Sequence, residues 1–425
     1  MQTLSGNALV ICIFSIILVP LAGTGLALIN TGLGRSRSAA HAMLSALCAV
    51  AVAAFVYFVI GFAWQGVYGG PAHSFTVAGK SWSWLGADRF MLRGVTFDGS
   101  TISLIVCLQF FSVGLAAQIP LGSGADRWRL RAICASSALL AGVTYPLFAH
   151  WAWGGGWLSQ LGTQFGLGNG FIDVGGAGAI QVVGGLTALS MTWILGARHG
   201  KFEPSGMSAA VPGHNTVFVL LGCMLAFLGW LGLDTAGAIL FAAAEPTRIV
   251  LIAVNNLLAA GTAMVSSVIL TGVRFGKPDA SLAANGFICG LVAVSCSCAM
   301  ISPLFAIAIG MVAGLIVPLS VEWLDRLLVD DPGGAISVHA VGGLWGLLAA
   351  GLFVHNKPGQ WAAQLAGVAA LLGVIFPLTY GLNWLLNLVY RQRVSLDGER
   401  HGLDMHELGA GAYPESAQSN DFLHH

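Results

Sequence analysis

The chain has 425 residues, of which 56% are hydrophobic and only 8% charged, and its formal net charge is zero. A soluble domain carries about 25% charged residues, so these charges are too few to coat a globule of this length, and most of the surface must face lipid. The zero net charge gives no sign of nucleic-acid binding.

A bilayer-spanning helix needs about 20 mostly apolar residues. In chain order, such runs predict helices at 8–31, 38–63, 98–121, 132–152, 175–197, 214–235, 247–272, 281–299, 302–323, 336–355 and 362–390. The first run follows Met-Gln-Thr-Leu-Ser-Gly-Asn, which has no basic segment, and is read as a span rather than a secretory signal. Pro303 breaks the eighth run from the ninth. Connections are short except for residues 64–97, rich in Gly, Trp and Ser. The chain therefore divides into a transmembrane part, 1–390, and a polar tail, 391–425. Each of the eight cysteines lies in an apolar stretch and reads as a small buried hydrophobe.

Lys and Arg set the orientation. One side collects Arg35, Arg37, Arg127, Arg129, Arg131, Arg198, Lys201, Arg274, Lys277, Arg326, Arg391, Arg393 and Arg400. The other has Lys80, Arg89, Arg93, Arg248 and Lys357. The richer side is cytoplasmic by the positive-inside rule, which places the N-terminus outside, the C-terminus inside, and favours an odd helix count.

Asp173-Val-Gly-Gly-Ala-Gly-Ala-Ile-Gln181-Val-Val-Gly-Gly-Leu186 repeats in Asp331-Pro-Gly-Gly-Ala-Ile-Ser-Val-His339-Ala-Val-Gly-Gly-Leu344. The two segments open helices that run in opposite directions. Helices 1–5 and 6–10 thus read as an inverted five-helix repeat, with helix 11 extra, and the substrate path of such a protein lies between the halves at mid-depth. Gln181 and His339 sit eight residues after their aspartates, about 12 Å along a helix and near the middle of a core roughly 30 Å thick. Polar groups at that depth are costly and mark function; the competing reading is a hydrogen-bonded pair that only fixes packing. Paired glycines beyond each allow close helix approach. Asp173 and Asp331 read as structural helix starts, their carboxylates satisfying free N–H groups. Asp234, in Gly229-Trp-Leu-Gly-Leu-Asp234, reads as a solvated rim residue or a cation attractor. His150, beside Trp151 and Trp153, reads as packing at a helix end.

These residues resemble the ammonium transporter (Amt/Mep/Rh) family. Asp330-Asp331-Pro332 with His339 is similar to its helix-10 signature, and Ala149-His150-Trp-Ala-Trp153-Gly-Gly-Gly156 to its helix-4 exit. Ser281-Leu-Ala-Ala-Asn285-Gly286 resembles helix 8, Ala125-Asp126-Arg127 the loop after helix 3, and Gly402-Leu-Asp404 with Ala412-Tyr413 the tail that locks neighbouring subunits. The resemblance implies an all-α membrane protein, a homotrimer with one pore per subunit, in the plasma or inner membrane. It also implies an outer cation site containing a Trp, two stacked Phe gates, a pore His pair, no cofactor, and a PII-type regulator on the cytoplasmic face. Trp153 matches the recruiting Trp and His339 the second His. Gln181 replaces the first His, Ser112 the outer gate Phe (with Phe110 and Phe111 just before it), Leu233 the inner gate, Asp234 the usual Asn and Gly237 the recruiting Ser. A carboxamide cannot take up and release a proton near neutrality, so a relay through two imidazoles is lost.

Three functions fit. The first is an ammonium or ammonia transporter or channel, with Trp153, Gln181 and His339 along the path. The second is a non-conducting ammonium sensor or scaffold signalling through its tail. The third is passage of another small neutral molecule such as carbon dioxide. An enzyme is disfavoured, since the soluble parts hold no nucleophile–base spacing, phosphate loop or metal set.

Overall fold

A computed structural model describes residue 4 and residues 6–87, 89–203, 205–354 and 357–413. Ten helices among the described residues are long and apolar enough to cross a bilayer, and one shorter apolar helix joins them. They are α1 (Gly6–Leu33), α2 (Ser36–Gln65), α3 (Thr101–Gly124), α4 (Leu130–Leu139, Leu140–Thr144 and Tyr145–Ala152 in succession) and α5 (Ala177–Leu195). The second half is α6 (Thr216–Phe241), α7 (Pro246–Phe275), the shorter α8 (Ala280–Ser295), α9 (Pro303–Arg326) and α10 (Ile336–Phe353), followed by α11 (Gln360–Val389). A turn before Pro303 separates α8 from α9, as the proline predicts. Residues 414–425, the end of the expected tail, and residues 355–356, at the end of the tenth predicted helix, lie outside the described residues.

The outer surfaces of these helices are apolar. Phe14, Leu47 and Val273 are 68%, 69% and 80% exposed, an arrangement that only a hydrocarbon solvent makes favourable. Inside, equivalent helices of the two halves meet: α1 packs on α6, and α5 on α10. Glycine makes the first crossing possible, because a Cβ on Gly229 would lie 2.0 Å from the Ala22 nitrogen.

The long connection carries a two-stranded hairpin beside the all-α bundle. Ala72–Val77 (β1) and Lys80–Gly86 (β2) pair antiparallel, with an irregularity after His73. Ala78 and Gly79 turn the hairpin with positive φ of 51° and 76°, the conformation that two-residue hairpin loops require. Trp82 and Trp84 pack on Trp157 and Trp151. His150 is wholly buried here; its Nδ1–H donates to the Gln65 carbonyl at 2.6 Å and its Nε2 accepts from the Ser83 hydroxyl at 3.0 Å. It is therefore a packed histidine that ties the hairpin to α2 and α4.

The opposite face, called the tail face below, is held by buried ion pairs. Arg198 donates to both oxygens of Asp330, at 2.9 and 3.0 Å, and to Asp126 at 3.2 Å. Fully buried Arg127 donates to the backbone carbonyls of Gly196 and Asp330, both at 2.8 Å. Burial lowers Arg127 to about 10 despite the Asp330 charge, which still leaves it cationic at neutral pH. Burial acts to raise Asp330, but the Arg127 charge and the Arg198 hydrogen bonds outweigh it and hold the carboxyl below its ordinary range. The cluster joins the loop after α3, the end of α5 and the segment before α10.

The tail folds back onto this face. Asp404 accepts from the N–H groups of Ala40 and His41 at 3.2 and 2.8 Å, capping the start of α2. Glu407 accepts from His41 Nε2 and from the Leu130 N–H, both at 2.8 Å. Gly402, with φ of 95°, lies so close to Arg37 that a Cβ would sit 2.4 Å from its carbonyl oxygen. The Tyr413 hydroxyl meets His214 Nε2 at 3.2 Å. Gly402, Asp404 and Tyr413 thus make these contacts within the same chain.

Candidate functional site

The repeated segments begin alike. Gly176 and Gly334, the second glycine of each pair, take left-handed φ of 88° and 69°, a conformation costly for a residue with a Cβ. The chain then winds into wide π-helical turns, Ala177–Val182 and Ile336–Val341. Asp173 accepts from the N–H groups of Gly178 and Ala179 at 3.1 and 2.8 Å, and Asp331 from those of Ala335 and Ile336 at 3.0 and 2.8 Å. Both carboxylates satisfy helix-start donors that have no partner within the helix. Burial pushes Asp173 up to about 6, against the pull of those donors, and burial raises Asp331 too.

Each π turn carries one of the paired polar residues. The Gln181 Oε1 accepts from His339 Nδ1–H at 2.7 Å. Gln181 is 0% and His339 4% exposed, so both side chains lie inside the bundle rather than against lipid. The contact depends on the glycines one turn beyond. A Cβ on Gly185 would lie 2.3 Å from the Ala340 nitrogen, and one on Gly343 2.9 Å from the Ala177 carbonyl oxygen. An amide oxygen facing Nδ1 fixes the neutral ring with its proton on Nδ1 and a lone pair on Nε2. α3 and α8 pack against these turns.

Near the hairpin, half-buried Trp153 donates its indole N–H to the Asp173 carbonyl at 2.7 Å. Its ring stacks on Phe241, with centroids 4.6 Å apart and planes 8° from parallel. Both line a cavity of about 740 Å³, with Tyr68, Ser159, Asn169 and Glu245 around it. Sequence reasoning missed Phe241; its place at the end of a span facing a Trp-rich exit was the available signal.

The expected gate positions hold no rings. Ser112 is buried and returns its hydroxyl to the Leu108 carbonyl at 2.9 Å. Leu233 is 2% exposed and aliphatic. Phe110 lies edge-on to Tyr57 of α2 at 5.6 Å, joined to an aromatic group that includes Tyr145, and Phe111 is half-buried beside the core. Asp234 contradicts the rim reading: it is 0% exposed. It lies inward because α6 runs on to Phe241, two turns past the aspartate.

Comparison with known proteins follows this geometry. The family described as the Ammonium Transporter Family matches residues 9–413. This chain belongs to the ammonium transporter family. Ammonium transporter Amt2 of Archaeoglobus fulgidus is 34% identical over 411 residues, covering 92% of this chain and 84% of that protein. Ammonium transporter 1 member 3 of Solanum lycopersicum is 29% identical, covering 96% and 93%. Among solved structures, a Sensor Amt Protein superposes with a TM-score of 0.84 at 28% identity, covering 94% of this chain and 98% of that one. Candida albicans Mep2 gives 0.80 at 24% identity, covering 93% and 88%, a likeness of fold. The inverted-repeat, multi-span architecture is thus that of the ammonium transporter family.

Proposed function

We propose that this ammonium transporter family member recruits ammonium in the cavity at Trp153 and passes it, as ammonia or ammonium, between α5 and α10 beside Gln181 and His339. The observation that carries the reading is the buried Gln181–His339 hydrogen bond at the meeting of the two half-bundles, on the Trp153 side of which opens the cavity. The indole of Trp153, which lines the cavity, offers cation–π attraction, and Glu245 adds a negative charge to the same cavity. Beyond it, an apolar bundle disfavours a bare ion, so the neutral species crosses most easily. Gln181 orients His339 but carries no proton itself.

In this proposal the hairpin face is external and the tail face cytoplasmic, in the plasma or inner membrane of the cell. The chain assembles as a homotrimer, residues 391–425 act as its regulatory tail, and a PII-type regulator docks there. None of its residues acts as an enzyme. Uptake of labelled methylammonium by proteoliposomes tests the reading, with Gln181→His as the second arm. Flux above empty liposomes is expected. No flux in either protein would refute it.

A second reading is favoured by the likeness to the Sensor Amt Protein and by the absent gate rings: ammonium binds and the tail signals without conduction. Binding of ammonium without flux, coupled to a change in tail protection, would select it.

A further inference from the structure

Asp234 is a fully buried carboxylate, and neither of its oxygens closes a hydrogen bond among the described residues. Burying a charge without a partner is among the costliest arrangements a protein can hold. Polar neighbours relieve it only in part. The side chains facing it are those of Asn256, Ser295 and Cys298. The Ser295 hydroxyl is spent on the Leu291 carbonyl at 2.9 Å and already accepts from the Trp230 indole at 3.1 Å. Asn256 is also 0% exposed, and both its oxygen and its nitrogen are unpartnered among the described residues. The nearest backbone is committed as well, since the Gly175 N–H donates to the Ser295 carbonyl at 2.9 Å.

The fold does not require the charge. Asp234-Thr235 in α6 stands where Asn30-Thr31 stands in α1, by the inverted repeat. A Cβ on Gly175 would lie 1.8 Å from Asp234 Oδ1, and one on Gly122 2.6 Å from Asn30 Oδ1. Each side chain thus lies against a glycine, and Gly122 in turn touches Gly333, the repeat partner of Gly175. In the α1 half, a neutral amide fills this place and donates to the Gln118 carbonyl at 3.4 Å. A carboxylate in the α6 half adds a negative charge that packing does not call for.

We propose that Asp234 and Asn256 form a buried site for one small, dehydrated monovalent cation, between α6, α7 and the Gly175 segment. Three unpartnered oxygens, two from Asp234 and one from Asn256, supply ligands or acceptors, and a single positive charge cancels the carboxylate. The site shares no residue with the Trp153 cavity or with the Gln181–His339 pair. That the cation is ammonium rests on the transport reading; that the site takes a small monovalent cation does not.

The test measures thermal unfolding of the purified full-length protein in ammonium, potassium, sodium and choline chloride at equal ionic strength. Wild type should gain several degrees in at least one small cation over choline, and Asp234→Asn should lose that gain while remaining folded, as Asn30 does in the other half. Trp153→Leu should keep the gain, which separates this site from the outer one. Equal melting in all four salts, or a gain that survives in Asp234→Asn, would overturn the proposal. So would a carboxylic-acid infrared band, absent in Asp234→Asn, that persists in saturating salt, because the compensating charge would then be a proton.

Discussion

Replacing Gln181 with Leu tests what the amide does for His339. In wild type the amide oxygen accepts from Nδ1–H at 2.7 Å inside the bundle, and such a neutral hydrogen bond contributes about 0.5–1.5 kcal/mol net. Leu fills similar space but leaves the donor buried without a partner, at a cost of about 1–3 kcal/mol. At about 1.4 kcal/mol per tenfold, the Nδ1–H tautomer should lose roughly five- to one-hundred-fold in population relative to its alternatives. Nitrogen-15 NMR of histidine-labelled protein reads this directly, with His339 assigned by comparison with His339→Gln. Gln181→His should retain Nδ1–H, since a second imidazole presents a lone pair. An unchanged His339 Nδ1–H signal in Gln181→Leu would refute the reasoning, because something other than the amide would then hold the ring.

Three further outcomes follow from the same geometry. Trp153→Leu removes a cation–π contribution of about 0.5–2 kcal/mol, so methylammonium uptake should show a KM raised roughly two- to thirty-fold at unchanged maximal rate. Gly185→Ala places a Cβ where the Ala340 nitrogen stands 2.3 Å away; this overpacking should cost about 1–3 kcal/mol, lower the melting temperature and reduce flux. Asp330→Asn strips the carboxylate from Arg198 and Arg127 and should destabilise by about 3–5 kcal/mol in thermal or denaturant unfolding at neutral pH. Because the Asp330 pKa is depressed in the folded protein, its contribution is complete above the unfolded value near 3.9 and fades as pH falls through the folded one. The gap between wild type and variant should therefore narrow only in acid, and a gap that widened there would contradict the assignment.

The spans were legible because lipid demands long apolar runs, and the repeat because Asp, Gly-Gly-Ala and Val-Gly-Gly-Leu recur in order. The meeting of Gln181 and His339 was legible for the same reason: equal spacing from two helix starts brings equal depths together. What stayed hidden depends on contacts between distant segments. The hairpin was missed since Ser-Phe-Thr-Val and Trp-Ser-Trp-Leu are too short to stand out in a Gly-rich connection. Asp234 was misplaced because its depth depends on where α6 ends, and the predicted end at 235 fell short of Phe241. Arg198 carried no local sign that it would join Asp126 and Asp330. Asn255-Asn256 did carry one, two amides inside an apolar span, and that signal was overlooked.

The π turns at Ala177–Val182 and Ile336–Val341 hold more residues than an α-helical path of the same height. Each half-bundle therefore stores a surplus residue beside its polar group. Removing one residue from either turn would restore a regular helix and rotate everything before it by about 100° relative to everything after it. The aspartate anchor and the glycine seam could then no longer both be in register. Surplus length in the backbone, duplicated along with the repeat, is what lets each half fix its two ends independently while the amide and the imidazole face one another.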